Sequence, residues 1–429
     1  MKNYIEINNK GHLAIEDIDT TFLTSKYGTP LYVMSENKIR ANCRSLKNSM
    51  DKLYKESLVL YASKAFSCKE IYRIVDSEGL GIDVVSAGEL YTALSVDFPV
   101  EKICFHGNNK TPDELLLAIN NNIGNIVVDN LSELKLISSL ANSYNKTVNI
   151  SLRIKPGIDA HTHDFVRTGQ IDSKFGFALE TGEAELAFEE AVKTENICLK
   201  GIHCHIGSQI FDVDPFELAA KVMLTFAIDM KNKYNYEITE LNLGGGFGIK
   251  YTSEDKPTLL ENYMEKVSNV IHSLCKENNF TVPCVKIEPG RSIVGDAGIT
   301  LYTVGSVKTI PNIRTYVSID GGMTDNPRYI LYGSKYELLI ANKANLPKEK
   351  TYTVAGKCCE SGDLIQEHTL LQDVEVGDTL CVKCTGAYNY SMSSNYNRIP
   401  RPAVVMANNG NDRIIIKKES YEDIIRNDV

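Results

Sequence analysis

The sequence of 429 residues predicts an α/β protein, in which a TIM-like (β/α)8 barrel is followed by a mainly antiparallel β domain. Over the first two-thirds of the chain, short β-branched runs alternate with helix-like stretches, and about eight such units in a row are typical of a parallel barrel. A doubly wound open sheet is the competing fold. It usually places a phosphate loop after its first strand, whereas the glycine-rich loop here comes late, at residues 244–248. After about residue 290 helical periodicity fades and short strands separated by turns follow, which predicts the β domain.

The barrel strands are predicted from runs rich in β-branched residues. They are residues 57–61, 82–85, 103–105, 126–128, 148–154, 198–204, 240–243 and 285–287. Amphipathic stretches between these runs predict helices. They include residues 69–77, 112–121, 131–143, 215–233 and 259–276. Pro112 and Pro215 mark the start of two of these helices, because proline is well suited to the first helical turn.

The β domain is predicted from short runs bounded by turn residues. They are residues 301–309, 315–320, 351–356, 379–385 and 413–417. The segments 4–15 and 31–34 precede the barrel but also resemble strands, so we expect them to join this domain. The sequence therefore predicts a barrel domain over residues 36–287 and a β domain built from residues 1–35 and 288–429.

The composition excludes some classes of function. The 46 basic and 55 acidic residues give a formal charge of −9, which argues against broad binding to nucleic acid or to anionic membranes. No apolar run approaches the roughly 18 residues of a membrane span, and the polar start lacks a signal peptide, so a cytoplasmic location is expected. The eleven scattered cysteines indicate reduced thiols, and the pair Cys381 and Cys384 is interpreted as structural because no second pair has a matching spacing.

Polar residues lie at or just after the predicted strand ends. They are Lys64, Asp83, Ser86, His106, Asn108, Asp129, Arg153, His205, Ser208, the glycines 244–246, Glu288 and Arg291. In a parallel barrel the carboxyl ends of the strands share one rim, and the chemistry takes place there. The sequence therefore predicts an active site at this rim, although strand ends are polar in many proteins.

Lys64 ends an apolar run and is flanked by small residues. A lysine at the rim of an apolar barrel loses hydration, which lowers its pKa and allows its amine to attack a carbonyl carbon. The alternative is a surface lysine whose stem covers apolar neighbours.

Two further motifs predict an anion site. The consecutive glycines Gly244, Gly245 and Gly246 allow backbone N–H groups to approach an anion closely, although the alternative is a flexible turn. Their spacing is not that of a dinucleotide fingerprint. In the motif EPGR at residues 288–291, Gly290 offers another N–H, Arg291 suits bidentate anion binding, and Glu288 suits a ring nitrogen; an ion-paired turn is the alternative.

His203 and His205 alternate along a predicted strand, so both are expected to point the same way. Such a pair needs a third ligand to hold a metal, and the nearest candidates, His161 and His163, lie in a different loop. A flat imidazole stacked on a ligand ring explains His205 equally well, so no metal is predicted.

Together these motifs resemble the fold-type III, alanine-racemase-like, pyridoxal-phosphate-dependent decarboxylases. In the barrel the motifs are YASKA around Lys64, HCHIGSQ at residues 203–209, NLGGGFG at 242–248 and EPGR at 288–291; DAHTH at 159–163 and KFG at 174–176 match as well. In the β domain they are CESGD at residues 359–363, GAY at 386–388 and SMSSNYN at 391–397. The similarity runs from about residue 25 to about residue 410, in the order found in the family.

The resemblance implies pyridoxal 5′-phosphate as cofactor. In the family, the lysine matching Lys64 holds the cofactor covalently, the histidine matching His205 stacks on its ring, and the glutamate matching Glu288 pairs with the pyridine nitrogen. The implied cofactor-binding residues are Lys64, His205, Ser208, Gly244, Gly245, Gly246, Glu288, Gly290, Arg291 and Tyr388.

The resemblance also implies the substrate residues and the proton donor. The implied substrate-binding residues are Arg291, Arg328, Tyr332, Glu360 and Tyr388. Lys64, His205 and Cys359 are the implied catalytic residues, with Cys359 as proton donor. The family usually has an apolar residue before the Cys-Glu pair, whereas Cys358 stands here, and Cys359 is preferred as donor because it adjoins Glu360. Family members are homodimers, so Cys359 and Glu360 are expected to reach the active site of a partner subunit.

The β-domain motifs narrow the implied reaction to decarboxylation of meso-2,6-diaminopimelate to L-lysine, the last step of lysine biosynthesis. The distal end of that substrate is a zwitterion, for which Arg291 and Arg328 suit the carboxylate and Glu360 suits the ammonium group. The alternatives are a decarboxylase of arginine, ornithine or carboxynorspermidine, a racemase with the same cofactor, a non-catalytic cofactor carrier, and a metal-dependent barrel hydrolase.

Overall fold

A computed structural model of the chain describes residues 4–158 and 172–429. The motif at residues 159–163, together with His161 and His163, lies outside the described residues. The chain divides into two compact units. The barrel unit comprises Asn42–Ile249 and Lys256–Ser292, and the β unit comprises Met1–Ala41, Lys250–Asp255 and Ile293–Val429.

The elements before the barrel are short strands and two helices. In chain order they are β1 Ile5–Ile7, β2 Leu13–Ile15, β3 Ile18–Asp19, α1 Thr20–Tyr27, β4 Leu31–Ser35 and α2 Glu36–Leu53. Strands β1, β2 and β3 form a small antiparallel sheet within the β unit. The Asp19 carboxylate caps α1 by accepting a hydrogen bond from the backbone N–H of Thr21.

Strands and helices alternate in the barrel unit. In chain order they are β5 Ser57–Ala62, α3 Lys69–Ser77, β6 Gly81–Val84, α4 Ala87–Leu94, β7 Ile103–Phe105, α5 Pro112–Asn120, β8 Asn125–Val128, α6 Leu131–Ser143, β9 Val148–Lys155, β10 Phe177–Ala178, α7 Glu183–Lys193, β11 Ile197–His203, α8 Asp214–Tyr234, β12 Glu240–Asn242, α9 Leu260–Glu277 and β13 Cys284–Ile287. Parallel pairing runs in the order β5, β6, β7, β8, β9, β11, β12, β13 and returns to β5, while β10 adds to β9. Over the described residues this is a closed eight-stranded parallel barrel, as the sequence predicts.

Local sequence explains where the barrel helices begin. Thr111 and Glu114 form a capping box at the start of α5, and Pro112 occupies its first turn. The Asn130 side chain caps α6 in the same way, by accepting a hydrogen bond from the N–H of Glu133 at 2.9 Å. These caps satisfy N–H groups at the starts of α5 and α6 that the helices themselves cannot satisfy.

The β unit continues after the barrel. Its elements are α10 Arg291–Val294, β14 Gly298–Ile310, β15 Arg314–Ile319, α11 Arg328–Tyr332, β16 Leu338–Ile340, β17 Lys350–Ala355, β18 Leu364–Leu371, β19 Thr379–Lys383, β20 Ala403–Asn408, β21 Asn411–Ile416 and α12 Tyr421–Ile425. The main sheet has the order β18-β17-β15-β14-β4-β20-β21, and β19 pairs with both β14 and β16. Its pairings are mostly antiparallel, and β4 joins it as expected.

Some observed strands are not predicted from the sequence. Besides the two-residue strands β3 and β10, they are β16, β18 and β20. Strand β20 is buried along nearly its whole length, so it lacks the alternation of apolar and polar residues that marks a half-exposed strand. Its residue Val405 packs with Leu31, Val33 and Leu301 in the core of this unit. No helix among the described residues combines the length and the apolar content that crossing a bilayer requires.

Candidate active site

Polar side chains lie at the carboxyl end of the barrel, where the sequence predicts the active site. They are Asp83 in β6, His106 just after β7, Asp129 just after β8, Arg153 in β9, His203 and Asn242 at the ends of β11 and β12, and Glu288 just after β13. All of them are buried. Lys64 lies in the single-turn 3-10 helix Ser63–Ala65 that follows β5, and its side chain is exposed between two buried neighbours. Because the strands are parallel, these residues share one rim.

The Glu288 carboxylate is the centre of a buried polar network. His106 Nε2 lies 2.8 Å from Oε1 of Glu288, and His203 Nε2 lies 3.1 Å from Oε2. The side-chain amide of Asn242 donates a hydrogen bond to Oε1 at 2.7 Å. Glu288 is only 7% exposed, so both of its oxygens are engaged by protein groups rather than by water.

The charges in this network follow from its geometry. Burial acts to raise the pKa of Glu288, but His106 and His203 hold it well below its ordinary value. Burial likewise acts to lower the pKa of His106, but the Asp83 and Glu288 carboxylates raise it well above its usual range. Burial lowers the pKa of His203 to about 4, so this ring is neutral at physiological pH. Glu288 is therefore held as an anion beside a cationic His106.

His205 is neutral, and its tautomer follows from a backbone contact. Its Nδ1 accepts a hydrogen bond from the N–H of Gly245 at 3.2 Å, which places the ring proton on Nε2. Burial, followed by the positive charges of Lys64 and Arg153, lowers the pKa of His205 well below its ordinary value. Strand β11 ends at His203, so the strand alternation expected for the two histidines does not extend to His205.

The glycine loop follows β12 and has no room for side chains. A Cβ at Gly245 would lie 2.1 Å from the Glu288 carbonyl oxygen, and one at Gly246 would lie 2.5 Å from the Gly207 carbonyl oxygen. Gly244 and Gly246 also adopt positive φ angles, of 68° and 112°. The three glycines therefore allow a close approach of backbone to backbone at the rim.

Two of the glycine N–H groups have partners inside the protein. The N–H of Gly244 donates to Asn242 Oδ1 at 3.0 Å, and the N–H of Gly245 donates to His205. The sequence predicts that the consecutive glycines direct their N–H groups toward an anion. In the structure, the N–H groups of Gly244 and Gly245 are bonded to protein groups. In the structure, these two N–H groups orient Asn242 and His205.

Arg291 lies beside the turn that carries Lys64. Its guanidinium is buried, and Nη2 donates to Ser208 Oγ at 2.8 Å. A Cβ at Gly290 would lie 3.0 Å from the Cβ atoms of Ala62 and Ala65, so glycine allows this segment to pack against the Lys64 turn. Within the barrel unit, the structure thus brings together the predicted residues Ser208, Gly290 and Arg291 and the Lys64 turn.

From the sequence, Asp83 and His106 are expected at strand ends without an assigned role, and His203 is a candidate only for metal binding. His106 and His203 contact Glu288, and Asp83 lies 3.9 Å from His106 Nε2. These contacts join residues that are far apart in the chain, so a local pattern does not reveal them. The only pattern that points to these residues is their position at the end of a barrel strand.

The structure brings together a different group of candidate metal ligands from the histidine pair that the sequence suggested. Among the described residues, Cys104, His106 and Glu288 bring their ligand atoms within 4.8 Å of one another. His203 contacts Glu288, and His205 accepts from Gly245, so both histidines of the pair have partners other than a metal. That no metal takes part remains a prediction.

In the β unit, three predicted site residues lie together. The guanidinium of Arg328 lies over the rings of Tyr332, at 5.1 Å, and Tyr388, at 5.4 Å. Arg328 is 8% exposed, and its Nη2 lies 3.5 Å from Ser334 Oγ. The buried Nε of Arg328 has no hydrogen-bond partner among the described residues. This is a preorganised cationic group suited to binding a carboxylate.

The two cysteines of the predicted proton-donor motif differ in environment. Cys359 and Glu360 are exposed on the loop between β17 and β18, and the Cys359 N–H donates to Asn397 Oδ1 at 2.8 Å. Cys358 is 9% exposed, and burial raises the pKa of its thiol to about 11. The exposed thiol is therefore that of Cys359.

The pair Cys381 and Cys384 supports a structural interpretation. Cys381 lies within β19 and is fully buried, and Cys384 donates to the Lys250 carbonyl at 3.4 Å. Burial raises the pKa of both thiols to about 12, which disfavours the thiolate that redox or metal chemistry needs.

Comparison with known proteins covers nearly the whole chain. Residues 36–295 match the family model of the pyridoxal-binding domain of pyridoxal-dependent decarboxylases. The diaminopimelate decarboxylase of Bacillus subtilis is 49% identical and aligns with 98% of this chain and 96% of its own length. The same enzyme from Bacillus methanolicus is 50% identical, with 96% of each chain covered.

Solved structures give a similar result. A diaminopimelate decarboxylase from M. jannaschii in complex with L-lysine superposes with a TM-score of 0.93 at 35% identity, covering 100% of this chain and 98% of that one. The alanine-racemase-like arrangement expected from the sequence, a parallel barrel with a mainly antiparallel β unit, is therefore shared with enzymes of known structure.

Proposed function

This chain belongs to the family of pyridoxal-dependent decarboxylases, and we propose that it removes CO2 from meso-2,6-diaminopimelate to give L-lysine, the final step of lysine biosynthesis. It is a pyridoxal-phosphate-dependent carboxy-lyase. The observation that carries the choice of substrate is the buried Arg328 between two tyrosine rings. This cation suits a substrate with a second carboxylate and would repel the purely cationic end of ornithine or arginine.

The barrel residues fit the cofactor. A carboxylate kept anionic, as at Glu288, suits a protonated ring nitrogen, and the neutral ring of His205 suits stacking on an aromatic face. Arg291 and Ser208 are donors for a phosphate, and the glycine loop allows backbone to pack closely against backbone at the same rim. The bound cofactor supplies a conjugated ring that accepts the electron pair left when CO2 departs.

We assign roles to this chain's residues accordingly. Lys64 would hold the cofactor aldehyde through its amine, and Gly290 and Tyr388 would also help to hold the cofactor. Glu288 holds a proton on the ring nitrogen, and His106, His203 and Asn242 keep Glu288 anionic and oriented. At the distal end of the substrate, Arg291 and Arg328 bind the carboxylate with Tyr332 and Tyr388, and Glu360 binds the ammonium group. Cys359 then delivers a proton to the carbon that has lost CO2.

The assembly and location form part of the same proposal. Cys359 and Glu360 are exposed in the single chain, which supports a homodimer in which they complete the active site of a partner subunit. Residues 36–287 act as the cofactor-binding domain, with residues 1–35 and 288–429 as the second domain. All eleven cysteines carry free thiols, which supports a cytoplasmic location.

The proposed function is tested by parallel incubation of the cofactor-loaded enzyme with carboxyl-labelled meso-diaminopimelate, ornithine and arginine. Labelled CO2 and an equal amount of L-lysine are expected from diaminopimelate, at a kcat/KM at least about 100-fold above the other substrates. Faster CO2 release from ornithine or arginine would show that this amino acid, and not diaminopimelate, is the substrate. Proton exchange without CO2 release would identify a racemase.

Arg328→Ala is expected to raise KM for diaminopimelate at least about 100-fold, because removing one partner of a buried charged hydrogen bond costs roughly 2–5 kcal/mol. The absorbance of the lysine-bound cofactor is expected to stay unchanged. Arg413→Ala is a matched control, since Arg413 lies in the same unit and pairs with Glu36 at 2.7 Å. Loss of the cofactor absorbance in Arg328→Ala would instead assign this residue to the cofactor.

Cys359→Ala is expected to lower kcat about 100-fold with normal cofactor loading, because a positioned general acid contributes at least about that factor. Cys358→Ala is the matched control and is expected to stay within about threefold of wild type, since the Cys358 thiol is buried whereas that of Cys359 is exposed. The opposite result would make Cys358 the donor.

Mixing Cys359→Ala chains with Lys64→Arg chains is expected to restore part of the activity if dimers share their sites, and no recovery would contradict that sharing.

A further inference from the structure

The carboxylate of Asp363 joins two loops of the β unit. The arginine loop, residues 320–327, follows β15 and leads into α11 with Arg328, and the cysteine loop, residues 356–363, connects β17 to β18. Oδ1 of Asp363 accepts a hydrogen bond from the N–H of Met323 at 2.6 Å. Oδ2 accepts from the N–H of Cys358 at 2.7 Å. One carboxylate oxygen is thus bonded to each loop.

The space around this carboxylate is provided by two glycines. A Cβ at Gly356 would lie 2.1 Å from Asp363 Oδ2, and a Cβ at Gly322 would lie 2.5 Å from the same atom. Neither glycine adopts a positive φ angle, so backbone conformation does not explain the choice of glycine. What glycine provides at both positions is room for the Asp363 carboxylate, which is 3% exposed.

Backbone hydrogen bonds make the cysteine loop a closed turn. The N–H of Gly356 donates to the Asp363 carbonyl at 2.9 Å, and the N–H of Asp363 donates to the Glu360 carbonyl at 3.1 Å. The N–H of Lys357 donates to the Gly321 carbonyl at 2.9 Å, which adds a second link to the arginine loop. The exposed side chains of Cys359 and Glu360 project from this turn, whose position depends on Asp363.

We propose that Asp363 is a positioning residue for the proton-transfer step, which fixes the cysteine loop on the arginine loop and so sets the place of the Cys359 thiol. This rests on the proposed function. Both partners of the carboxylate are N–H donors, and only an acceptor at both oxygens satisfies them. An asparagine of the same shape would satisfy one N–H and turn its NH2 group toward the other. Proton delivery is sensitive to such a shift, because a displacement of about 1 Å in a reacting group costs on the order of 100-fold in rate.

The test uses cofactor-loaded Asp363→Asn. Its kcat is expected to fall about 10- to 100-fold, with the lysine-bound cofactor absorbance retained. The alkylation rate of Cys359 by iodoacetamide, measured by peptide mass spectrometry relative to Cys198 in β11, is expected to change at least about threefold. This second measurement does not depend on turnover, so it remains informative even if diaminopimelate is not the substrate.

Asp378→Asn is the matched control. Asp378 is buried in the same unit and also accepts a backbone N–H, that of Glu375 at 2.7 Å, and a side-chain amide, that of Asn342 at 2.8 Å. It lies outside both loops, so Asp378→Asn is expected to lower the melting temperature while kcat and Cys359 alkylation stay within twofold of wild type.

Gly356→Ala provides a second test if Asp363→Asn does not fold, since a Cβ at this position would lie 2.1 Å from Asp363 Oδ2 and would displace the carboxylate. It is expected to reproduce both the loss of kcat and the change in Cys359 alkylation. Folded Asp363→Asn or Gly356→Ala with wild-type kcat and alkylation would overturn the proposal. The proposal would also be overturned if the loss of activity were fully explained by a smaller fraction of folded protein.

Discussion

Replacing Lys64 by arginine is expected to lower kcat by at least about 10,000-fold, the scale of losing a residue that forms a covalent bond in the reaction. Arginine keeps the positive charge and similar length, but its guanidinium stays protonated and does not attack an aldehyde carbon. The fold of the rim is expected to survive, because the Lys64 side chain is exposed while its neighbours Ser63 and Ala65 carry the packing.

The measurement is borohydride reduction of the cofactor-loaded enzyme followed by peptide mapping. The wild type is expected to retain the cofactor on the peptide that contains Lys64, and Lys64→Arg is expected to retain none. Lys69→Arg is a suitable control, since Lys69 is exposed five positions further along at the start of α3. A reduced cofactor on any other peptide of the wild type would show that the assignment of Lys64 is wrong.

Glu288→Gln is expected to lower kcat about 1,000-fold with the cofactor still attached to Lys64. A preorganised charge aimed at a developing charge contributes on the order of 100- to 1,000-fold. Glutamine has no negative charge to keep the ring nitrogen protonated, and it leaves the cationic His106 without its nearest carboxylate at 2.8 Å. Single-turnover measurement of CO2 release separates this effect from substrate binding.

The same variant is expected to change how stability depends on pH. The pKa of Glu288 is lowered in the folded state, so its contribution to the free energy of unfolding is present above its unfolded value of 4.5 and is lost as the pH falls through the folded pKa. The pKa of His106 is raised, so its contribution is fully present below 6.5 and is lost as the pH rises through the folded pKa. Denaturant titrations at a series of pH values should show that both of these pH dependences of the free energy of unfolding are weaker in Glu288→Gln than in the wild type.

Glu240→Gln is the matched control for Glu288→Gln. Glu240 begins β12 at the opposite end of the barrel and pairs with Lys286 at 2.6 Å. Residues at that end of a barrel contribute to stability rather than to chemistry. We expect Glu240→Gln to lower the free energy of unfolding while kcat stays within about twofold. An equal loss of kcat in both variants would show that Glu288 acts through barrel stability.

Agreement between the predicted and observed elements is closest in the barrel. The helices 69–77 and 131–143 and the strand 103–105 have the observed bounds, because hydrophobic periodicity and helix caps are local properties of the chain. Agreement is poorer in the β unit, where β16, β18 and β20 depend on which neighbouring strands bury them. Local pattern carries less information there, since β-strands are stabilised by residues distant in sequence.

For the active site, strand ends and motifs identify Lys64, His205, Glu288 and Arg291 as candidates, because parallel strands place their carboxyl ends on one rim whatever their order around the barrel. Only the tertiary structure shows that His106, His203 and Asn242 converge on Glu288, and that Asp363 bridges two loops. The physical reason is that a pattern along the chain specifies which face a side chain occupies. Contacts between distant residues depend on barrel closure and strand register, and these are decided by the packing of the whole fold.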